Sequence, residues 1–331
     1  MVSTSVMEAE TGESRPVALG IDLGGSAIKV GAVDDLGRVL EMVHFPTPTS
    51  ATRPEDVIAA MSQAATQTAA QLKEPPVGIA VSTPAFSEGP EWTQRLCSNV
   101  PALDNVPIRP LLVEAFGPDV RSEYDTNAAL LAELRFGRAR QYERVLYMGI
   151  GTGISSAVSI AGELVRHTFG TCGNTGHVIV DPAGRPCTCG GAGCLETVTA
   201  AWALRRAASE LAQAGESEQL AAAYAKSGEV DVVDLHRAAV DGDAVATQLL
   251  ATAGRALGVA LASLVHIYFP DVIIIGGGVS GAGEFLLGPA RCALAEHAAP
   301  DCYKRLQAFE QGTLGLDAGV IGLASLFLDP G

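Results

Sequence analysis

The fold is decided by the stretch VALGIDLGGSAIKVGAVDDLGRVL at residues 17–40, because its layout returns as RVLYMGIGTGISSAVSIAGELVRH at residues 144–167. Each copy reads as an apolar strand, a glycine-bearing turn, a second strand, a tight turn and a third strand. This internal repeat predicts an α/β protein with two similar lobes, each a β-sheet with a phosphate-sized first turn, facing one cleft. The alternative is that two unrelated β-meanders occur in one chain.

The rest of the chain supplies elements that complete such lobes. Apolar periodicity predicts helices over 54–72, 127–137, 199–227 and 231–267, and extended segments over 77–82, 120–125 and 271–278. A helix over 285–298 is expected to break near Pro289, because proline removes a backbone donor. We expect a disordered tail over 1–16, an N-terminal lobe over 17–126, a C-terminal lobe over 127–310, and a last segment over 311–331 whose helix packs back on the N-terminal lobe.

Composition excludes several classes of protein. The 331 residues carry a formal net charge of −15, which repels nucleic acid phosphates and anionic lipid as primary partners. The charge still permits a bound nucleotide, because turn amides and one lysine hold phosphate locally. The N-terminal residues lack the basic start and apolar core of a signal peptide, and no long uncharged apolar stretch predicts a membrane span. We therefore expect a cytoplasmic protein.

The first turn of each copy has the composition of a phosphate site. Adjacent glycines let the backbone approach a phosphate closely, and a hydroxyl and the turn amides donate to its oxygens. Asp22 is placed to hold a water of a phosphate-bound Mg²⁺. An ordinary hairpin is the alternative for the first turn taken alone. The candidate residues are Asp22, Gly24, Gly25, Ser26 and Lys29 in the first copy, and Gly151, Thr152 and Gly153 in the second.

A third glycine group follows a predicted strand near the C-terminal end. The run GGGVSG at residues 276–281 formally matches G-x-G-x-x-G, the fingerprint of dinucleotide binding. A dehydrogenase is disfavoured because no short βαβ unit with an acidic residue at its second strand follows the motif. Gly276, Gly277 and Gly278 are better interpreted as a turn on which the adenosine of a nucleotide rests.

One imidazole and three thiols cluster within eighteen residues, at His177, Cys187, Cys189 and Cys194. Three thiolates and one histidine form a closed tetrahedral zinc set. All four ligands come from the protein and leave no open position, so the sequence predicts a structural zinc ion. The alternative is a set of free cysteines, since the C-x-C spacing makes a disulfide within the loop awkward.

Two acidic residues are candidates for substrate chemistry. Asp125 ends an extended segment just before a helix, with Asn127 beside it, and in a cleft it can accept a proton from a substrate hydroxyl. The alternative is a plain N-cap residue. Glu196, two residues after the last thiol of the cluster, is either a solvated charge or a polar contact to a ligand.

These motifs together resemble the ROK family (repressor, open reading frame, kinase) of sugar kinases. DLGGSAIK is similar to its first phosphate motif, GIGTGISS to the second, IIIGGGVSGAG to its adenosine region, and GHVIVDPAGRPCTCGGAGCLE to its signature and zinc loop. The resemblance implies a two-lobed actin-like, hexokinase-like (ribonuclease H-like) fold. It also implies an ATP- and Mg²⁺-dependent kinase acting on a primary sugar hydroxyl, in a homodimer or a tetramer.

The resemblance also implies roles for single residues. Asp125 takes the position of the catalytic base, His177 both binds zinc and faces the sugar, and Glu196 binds sugar hydroxyls. Pro84 and Asn99 fall in the region of the family's acceptor site. The zinc ion would shape the wall of the sugar pocket.

The sequence departs from the family pattern at three places around the acceptor. Tyr124 stands where family kinases usually carry Asn, Asn174 replaces the Glu of E-x-G-H, and Pro84 is followed by Ala instead of Gly. The first two positions contact sugar hydroxyls in the family, so the changes indicate an altered acceptor with the base retained. An amino-deoxy sugar, another modified hexose or a cyclitol is then as credible an acceptor as glucose. Glucose remains the alternative if Tyr124 turns away from the site.

Two other classes compete with a kinase. Repressors of the family carry an N-terminal winged helix-turn-helix of roughly 60–80 residues, the size of a small domain. Only sixteen residues precede the first predicted strand here, so we do not expect DNA binding. A catalytically silent sugar sensor is the other alternative, and the retained Asp125 and glycine turns favour an enzyme over it. The sequence leaves open whether ATP or polyphosphate is the donor, which hydroxyl is phosphorylated, and whether the pathway is catabolic or biosynthetic.

Overall fold

The computed structural model describes residues 15–83, 85–97, 99–167 and 169–328. The predicted tail over 1–16 lies outside these residues, apart from its last two. The strands are β1 Val17–Leu23, β2 Ala27–Asp34, β3 Val39–Pro46, β4 Ile79–Thr83, β5 Phe86–Glu88, β6 Thr93–Arg95, β7 Arg121–Tyr124, β8 Arg144–Ile150, β9 Ile154–Ile160, β10 Glu163–Leu164, β11 Val272–Gly276 and β12 Ala308–Gln311. The helices are α1 Pro54–Ala69, α2 Ile108–Phe116, α3 Asp125–Arg135, α4 Glu196–Thr199, α5 Ala201–Gln213, α6 Glu218–Ser227, α7 Val232–Val240, α8 Ala244–Tyr268, α9 Glu284–His297, α10 Pro300–Arg305 and α11 Ala318–Ala324.

Two five-stranded sheets share one topology, with the orders β3-β2-β1-β4-β7 and β10-β9-β8-β11-β12. In each sheet the first three strands form an antiparallel meander, a fourth strand (β4 or β11) pairs parallel to the first strand of the meander, and the last strand (β7 or β12) pairs parallel to the fourth. The central strands are almost continuously apolar, as expected of strands buried on both faces. The repeat in the sequence therefore corresponds to two equivalent sheets, and the predicted two-lobed α/β fold is confirmed.

The apolar side chains arrange the sheets and helices in layers. One core lies between the first sheet and helices α1 and α2, and a second covers the outer face of the other sheet with helices α5 to α9. A third core fills the space between the two sheets, where α3 and α11 pack together. Its fully buried members include Val33 from the first sheet, Leu130 from α3, Val145 from the second sheet and Val320 from α11.

Helix α11 packs closely against α3 and against the first sheet. A Cβ atom on Gly322 would lie 1.7 Å from the carbonyl oxygen of Ala128, and one on Gly20 would lie 2.1 Å from that of Val320. Both glycines are therefore required by close backbone approach rather than by turn geometry. Helix α11, which spans Ala318–Ala324, thus contacts the N-terminal sheet. The predicted boundary at 126/127 falls inside α3.

The prediction of a helix broken near Pro289 is wrong. Helix α9 runs without interruption from Glu284 to His297 with Pro289 inside it. The helix packs on α8 through small residues, since a Cβ on Gly254 would lie 2.2 Å from the carbonyl oxygen of Leu286 and 3.1 Å from the Cβ of Pro289. This close packing offsets the hydrogen bond that proline removes.

Helix α8 is long and apolar enough to cross a membrane, judged by length and composition alone. It is also the central helix of the outer core of the second lobe, where Leu250, Leu257, Leu261 and Val265 are fully buried. Its Asp243 N-cap accepts a hydrogen bond from the backbone of Ala246. These contacts are those of a buried core helix.

Candidate active site

The first glycine turn lies at the carboxyl end of β1, between β1 and β2. The backbone N–H of Gly24 donates to the carbonyl of Ala27 at 3.0 Å, and the Thr47 hydroxyl donates to the carbonyl of Gly24 at 2.7 Å. Ser26 is exposed on this turn. Asn99 lies directly against it, because a Cβ on Gly25 would be 3.0 Å from the Cβ of Asn99. The turn is therefore held from outside while its tip stays free for a ligand.

Asp22 is fixed beside this turn by a residue from the neighbouring parallel strand. The Ser82 hydroxyl donates to Asp22 Oδ1 at 2.9 Å, and it accepts the backbone N–H of Leu23 at 2.8 Å. Ser82 is buried and sits in β4, next to β1. The carboxylate thus has one oriented oxygen and one that remains available to a ligand.

The second glycine turn and the third glycine group follow the carboxyl ends of two neighbouring strands of the second sheet, β8 and β11. Gly149 and Gly276 are direct partners across the parallel pair β8–β11. Gly277 has φ +81°, and a Cβ on it would lie 2.4 Å from the carbonyl oxygen of Ile150. Only glycine satisfies both the positive φ and the close approach. Residues 151–153 and 276–278 therefore form one continuous backbone surface.

Lys29 connects the first lobe to this surface. Its Nζ donates to the carbonyl oxygen of Leu316 at 3.2 Å. A side-chain carbon of Leu316 in turn lies 3.9 Å from the position of a Cβ on Gly278. Leu316 therefore connects Lys29 of the first lobe to Gly278 of the third glycine group.

Asp125 is the first residue of α3 and follows directly on the end of β7. Its Oδ1 accepts hydrogen bonds from the backbone N–H of Thr126 at 2.6 Å and from the Thr126 hydroxyl at 3.0 Å. Asp125 is exposed to solvent, and protein atoms crowd around its carboxylate. Burial and then the negative charge of Asp22 raise the pKa of Asp125 to about 6, while the bonds from Thr126 oppose the rise. The group is thus ionised near neutral pH and basic enough to take a proton.

Tyr124 does not turn away from this group. Its ring stacks on Phe86 with centroids 6.0 Å apart and an interplanar angle of 22°. Burial raises the pKa of the Tyr124 hydroxyl, the charge of Asp125 raises it further, and a hydrogen bond with Ser155 opposes the rise. The charges that act on it include Glu196. The hydroxyl is therefore protonated at neutral pH and lies among the candidate acceptor residues.

The predicted metal ligands come together in space. The ligand atoms of His177, Cys187, Cys189 and Cys194 all lie within 4.8 Å of one another. The Sγ atoms of Cys189 and Cys194 are 3.7 Å apart, and Cys187 Sγ is 3.5 Å from His177 Nδ1. Tetrahedral Zn²⁺ places two thiolates about 3.8 Å apart, and a thiolate and an imidazole nitrogen about 3.6 Å apart. The donor set therefore fits a tetrahedral ion.

Glu196 links the metal cluster to the second glycine turn. Its Oε2 accepts the backbone N–H of Ile154 at 3.0 Å. A Cβ on Gly153 would lie 3.0 Å from this oxygen, and a Cβ on Gly176 would lie 3.2 Å from it. The exposed Asn174 precedes the short 3₁₀ turn Thr175–His177, which carries the histidine of the cluster. Glu196 thus contacts both the second glycine turn and the loop that bears Asn174 and His177.

Some predicted positions are placed differently from the rest. Pro84 lies outside the described residues. Asn127 is fully buried, and its Nδ2 donates to Glu123 Oε1 at 2.7 Å and to the carbonyl of Gly170 at 2.8 Å, so it has a structural role. Sequence reasoning missed Ser82 and Glu123, which orient the site from neighbouring positions. Glu123 could have been noticed only because it is a carboxylate inside the short predicted strand that leads to Asp125, where the structure buries it.

The paired sheets, the shared cleft and the glycine turns define the class of this protein as a two-lobed α/β protein of the actin-like, hexokinase-like fold. Residues 18–330 match the ROK family. The chain belongs to the ROK family, and the resemblance noted in its motifs is confirmed over almost its whole length.

Its relatives include both enzymes and regulators. Glucokinase from Thermotoga maritima is 33% identical over 308 residues, which cover 93% of this chain and 96% of that protein. The structure of a ROK family glucokinase from Streptomyces griseus with glucose and AMPPNP is similar with a TM-score of 0.80 at 28% identity, over 94% of this chain and 98% of that one. A ROK family transcriptional regulator, a homologue of the E. coli MLC protein, gives a TM-score of 0.81 at 27% identity, over 94% of this chain and 77% of that one.

Proposed function

We propose that this protein is an ATP-dependent sugar kinase that phosphorylates a primary hydroxyl of a hexose or hexose-like polyol. The observation that carries the proposal is Asp125, a carboxylate whose pKa is raised by burial and by the charge of Asp22, which precedes the first glycine turn. The relatives named glucokinase, one of them in complex with glucose and an ATP analogue, support the same function.

Residues of both lobes would bind the phosphate donor ATP. The amides and hydroxyls of Gly24, Gly25 and Ser26 and of Gly151, Thr152 and Gly153 would donate to phosphate oxygens, with the Lys29 ammonium between them. Gly276, Gly277 and Gly278 would support the adenosine. Mg²⁺, when bound, neutralises the phosphate charge, and the free oxygen of Asp22 is positioned to hold one of its waters.

Asp125 performs the proton transfer in this proposal. Its carboxylate takes the proton of the acceptor hydroxyl as the hydroxyl oxygen forms a bond to the γ-phosphorus. The bond between that phosphorus and the bridging oxygen breaks, and ADP leaves with the electron pair. The product is a phosphate monoester, and the proton on Asp125 passes to solvent, which reaches the residue. Asn99 packs against Gly25 of the first turn and would contact the transferred group or the acceptor from there.

We propose that His177, Cys187, Cys189 and Cys194 hold a structural zinc ion. The sulfur–sulfur and sulfur–nitrogen separations support this assignment, and no ligand position remains for water. Since His177 approaches the cluster through Nδ1, its Nε2 is left to face the acceptor. Glu196 then supplies a carboxylate for acceptor hydroxyls from the segment that follows the zinc loop.

The acceptor is proposed to be a modified hexose, such as an amino-deoxy sugar, or a cyclitol. Tyr124 faces Asp125 and Glu196 and places a bulky ring where the family usually has an asparagine amide. Asn174 donates as well as accepts, unlike the carboxylate it replaces. Glucose is the alternative acceptor, favoured by the relatives that are named glucokinase.

A second candidate function is a regulatory, sugar-sensing protein without catalysis. The similarity to a ROK transcriptional regulator favours it. The retained Asp125 and the intact glycine turns favour the kinase, and the net charge of −15 disfavours nucleic acid as a partner.

We also propose a cytoplasmic location and a homodimer, with a tetramer as the alternative that light scattering would reveal.

The test is ADP release from ATP and Mg²⁺ across an acceptor panel of glucose, mannose, fructose, their N-acetyl and amino-deoxy relatives and several cyclitols. We expect efficient turnover of at least one acceptor. Asp125→Asn should lower its kcat by about 10²–10⁴-fold, the usual contribution of a general base, and leave ATP binding unchanged. Asp119→Asn, at an exposed carboxylate before β7, is the matched control and should keep full activity. Full turnover by Asp125→Asn removes Asp125 from the mechanism, and no turnover with any acceptor of the panel or with maltose, cellobiose or trehalose favours the sensor.

A further inference from the structure

A separate cavity of about 410 Å³ adjoins Tyr124 at the mouth of the cleft. The first lobe contributes hydroxyls and an indole to its walls, and the second lobe contributes a guanidinium and an exposed phenyl ring. Its volume lies within the range of small-molecule sites in proteins. Its lining includes Ser87, Trp92, Ser122, Tyr124, Arg166 and Phe169.

An ion pair between the lobes holds the polar wall of this cavity in place. Arg166 Nη2 lies 2.5 Å from Glu123 Oε2, and Glu123 is only 9% exposed. The other oxygen of Glu123 accepts the Asn127 amide at 2.7 Å and the backbone N–H of Tyr124 at 2.9 Å. Because Glu123 is fully engaged and Arg166 stays 43% exposed, the remaining guanidinium donors are oriented and free to bind a ligand.

Stacked aromatic rings form the apolar wall. Tyr124 stacks on Phe86, and Phe86 stacks on Phe169 with centroids 5.5 Å apart and an interplanar angle of 26°. Phe169 is 40% exposed, and the indole of Trp92 closes another side. Ring faces next to hydroxyls and a fixed guanidinium suit a polyhydroxylated ring, whose C–H face packs on aromatics while its hydroxyls form hydrogen bonds.

Tyr124 stands at the border between this cavity and the candidate acceptor site. Its hydroxyl lies among Asp125, Ser155 and Glu196, whereas the residue also lines the cavity. A molecule bound next to Asp125 can therefore extend past Tyr124 into the cavity. The charge of Arg166 is already balanced by Glu123, so the cavity offers little to a free anion.

We propose that this cavity binds a second sugar or cyclitol ring linked to the ring that is phosphorylated, so that the acceptor is the size of a disaccharide. The inference rests on the proposed function for the identity of the first site. It explains why a bulky, stacked tyrosine stands at the acceptor position: the ring is a platform between two subsites.

Tryptophan fluorescence tests the inference without relying on turnover. The chain has two tryptophans, so Trp202→Phe leaves Trp92 as the single reporter in the cavity wall. This variant, as the full chain with Mg²⁺ and a non-hydrolysable ATP analogue, is titrated with glucose, maltose, cellobiose and trehalose. We expect at least one disaccharide to change Trp92 emission with half-saturation at least tenfold lower than that of glucose. Equal or weaker binding of all three disaccharides overturns the inference.

Variants that fill the cavity with a larger side chain provide a second test of the inference. Ser122→Leu in the Trp202→Phe background should weaken that disaccharide at least tenfold and leave glucose within twofold, and Ser87→Leu should do the same if the first variant does not fold. Ser62→Leu in α1 is the matched control and should change neither. Equal effects on both ligands overturn the inference. Disaccharide binding without phosphorylation of any acceptor removes the kinase proposal alone, and monosaccharide phosphorylation without a Trp92 response removes the second subsite alone.

Discussion

Asp125 is subject to opposing influences that set its proton affinity. Its position at the start of α3 and the hydrogen bonds from Thr126 favour the carboxylate. Burial in the cleft and the nearby charge of Asp22 disfavour it, and they prevail, since the pKa rises to about 6. A carboxylate that is ionised at neutral pH but more basic than usual suits a general base.

The pH dependence of turnover follows from this value. Because the base must be ionised, kcat/KM should be constant above about pH 7 and fall tenfold per unit below a pKa of about 6. Asp22→Asn removes the charge that raises this pKa, so the acid limb should move to lower pH even though the rate drops. A pH–rate profile of both proteins tests this. The ionisation of ATP affects wild type and Asp22→Asn equally, so it cannot produce a difference between their profiles. An acid limb at the same pH in both proteins would contradict the effect of the Asp22 charge on the pKa of Asp125.

The same carboxylate predicts a pH effect on stability. Its folded-state pKa lies above the usual value near 3.8, so its contribution is most favourable at low pH and is lost as pH rises through about 6. Asp125→Asn removes a charge that the fold disfavours. The Tm of the variant minus the Tm of wild type should therefore be larger at pH 8 than at pH 4.5. Thermal melts at both values measure it, and the solvent contact of Asp125 keeps the effect small. A difference that is constant or falls with pH would contradict it.

The sequence predicts the groups that define this site but not the groups that orient them. Asp22, Asp125 and the cysteine cluster are visible because short motifs surround them. Ser82 and Glu123 orient Asp22 and Arg166 through contacts across 60 and 43 positions, and nothing local in the sequence shows such contacts. The stacking of Phe169 on Phe86 is invisible for the same reason.

At the scale of elements, the contact of α11 with α3 depends on a glycine. Gly322→Ala would place a Cβ 1.7 Å from the carbonyl oxygen of Ala128, and the two helices would have to separate. We expect a loss of about 1–3 kcal/mol in the free energy of unfolding, typical of overpacking. Gly319→Ala in the same helix is the control, because its Cβ would meet Asp22 Oδ2 at an ordinary 3.5 Å. Denaturant unfolding measures both, and equal stabilities would contradict the account.

The loop of the metal cluster depends on all four ligands. Wild-type protein should contain about one zinc per chain, and Cys187→Ser should lose most of it and melt at lower temperature. Cys292→Ser, at an exposed cysteine of α9, is the matched control and should keep its metal. Elemental analysis of the purified proteins measures the difference. Wild-type protein without metal, or unchanged content in Cys187→Ser, would contradict the zinc assignment.

Strands and helices could be predicted where the local pattern of apolar and turn residues agrees with the burial of the segment in the folded protein. The strands of both meanders follow apolar runs bounded by glycine turns, and the structure places them as predicted. Pro289 shows the limit, because the sequence rule for proline applies to an isolated helix. The packing of Gly254 and Gly258 in α8 against α9 holds that helix through the proline, and this contact joins distant parts of the chain.

On the scale of the whole molecule, the two equivalent sheets explain why one cleft holds all the candidate groups. Each sheet brings a glycine turn to the carboxyl end of its central strand, and α3 and α11 pack between the sheets. The repeat in the sequence predicted the two equivalent sheets, and the shared cleft between the turns stays a prediction. The domain boundaries and the oligomeric state stay predictions.

The central claim is that this cleft moves the γ-phosphoryl group of ATP to an acceptor hydroxyl. The most direct measurement is the ³¹P NMR spectrum of wild-type protein with ATP, Mg²⁺ and the acceptor that gives the highest rate of ADP release. We expect a new phosphate monoester signal that grows in step with ADP and is absent with Asp125→Asn. Formation of ADP and inorganic phosphate alone, or equal monoester formation by the variant, would contradict it.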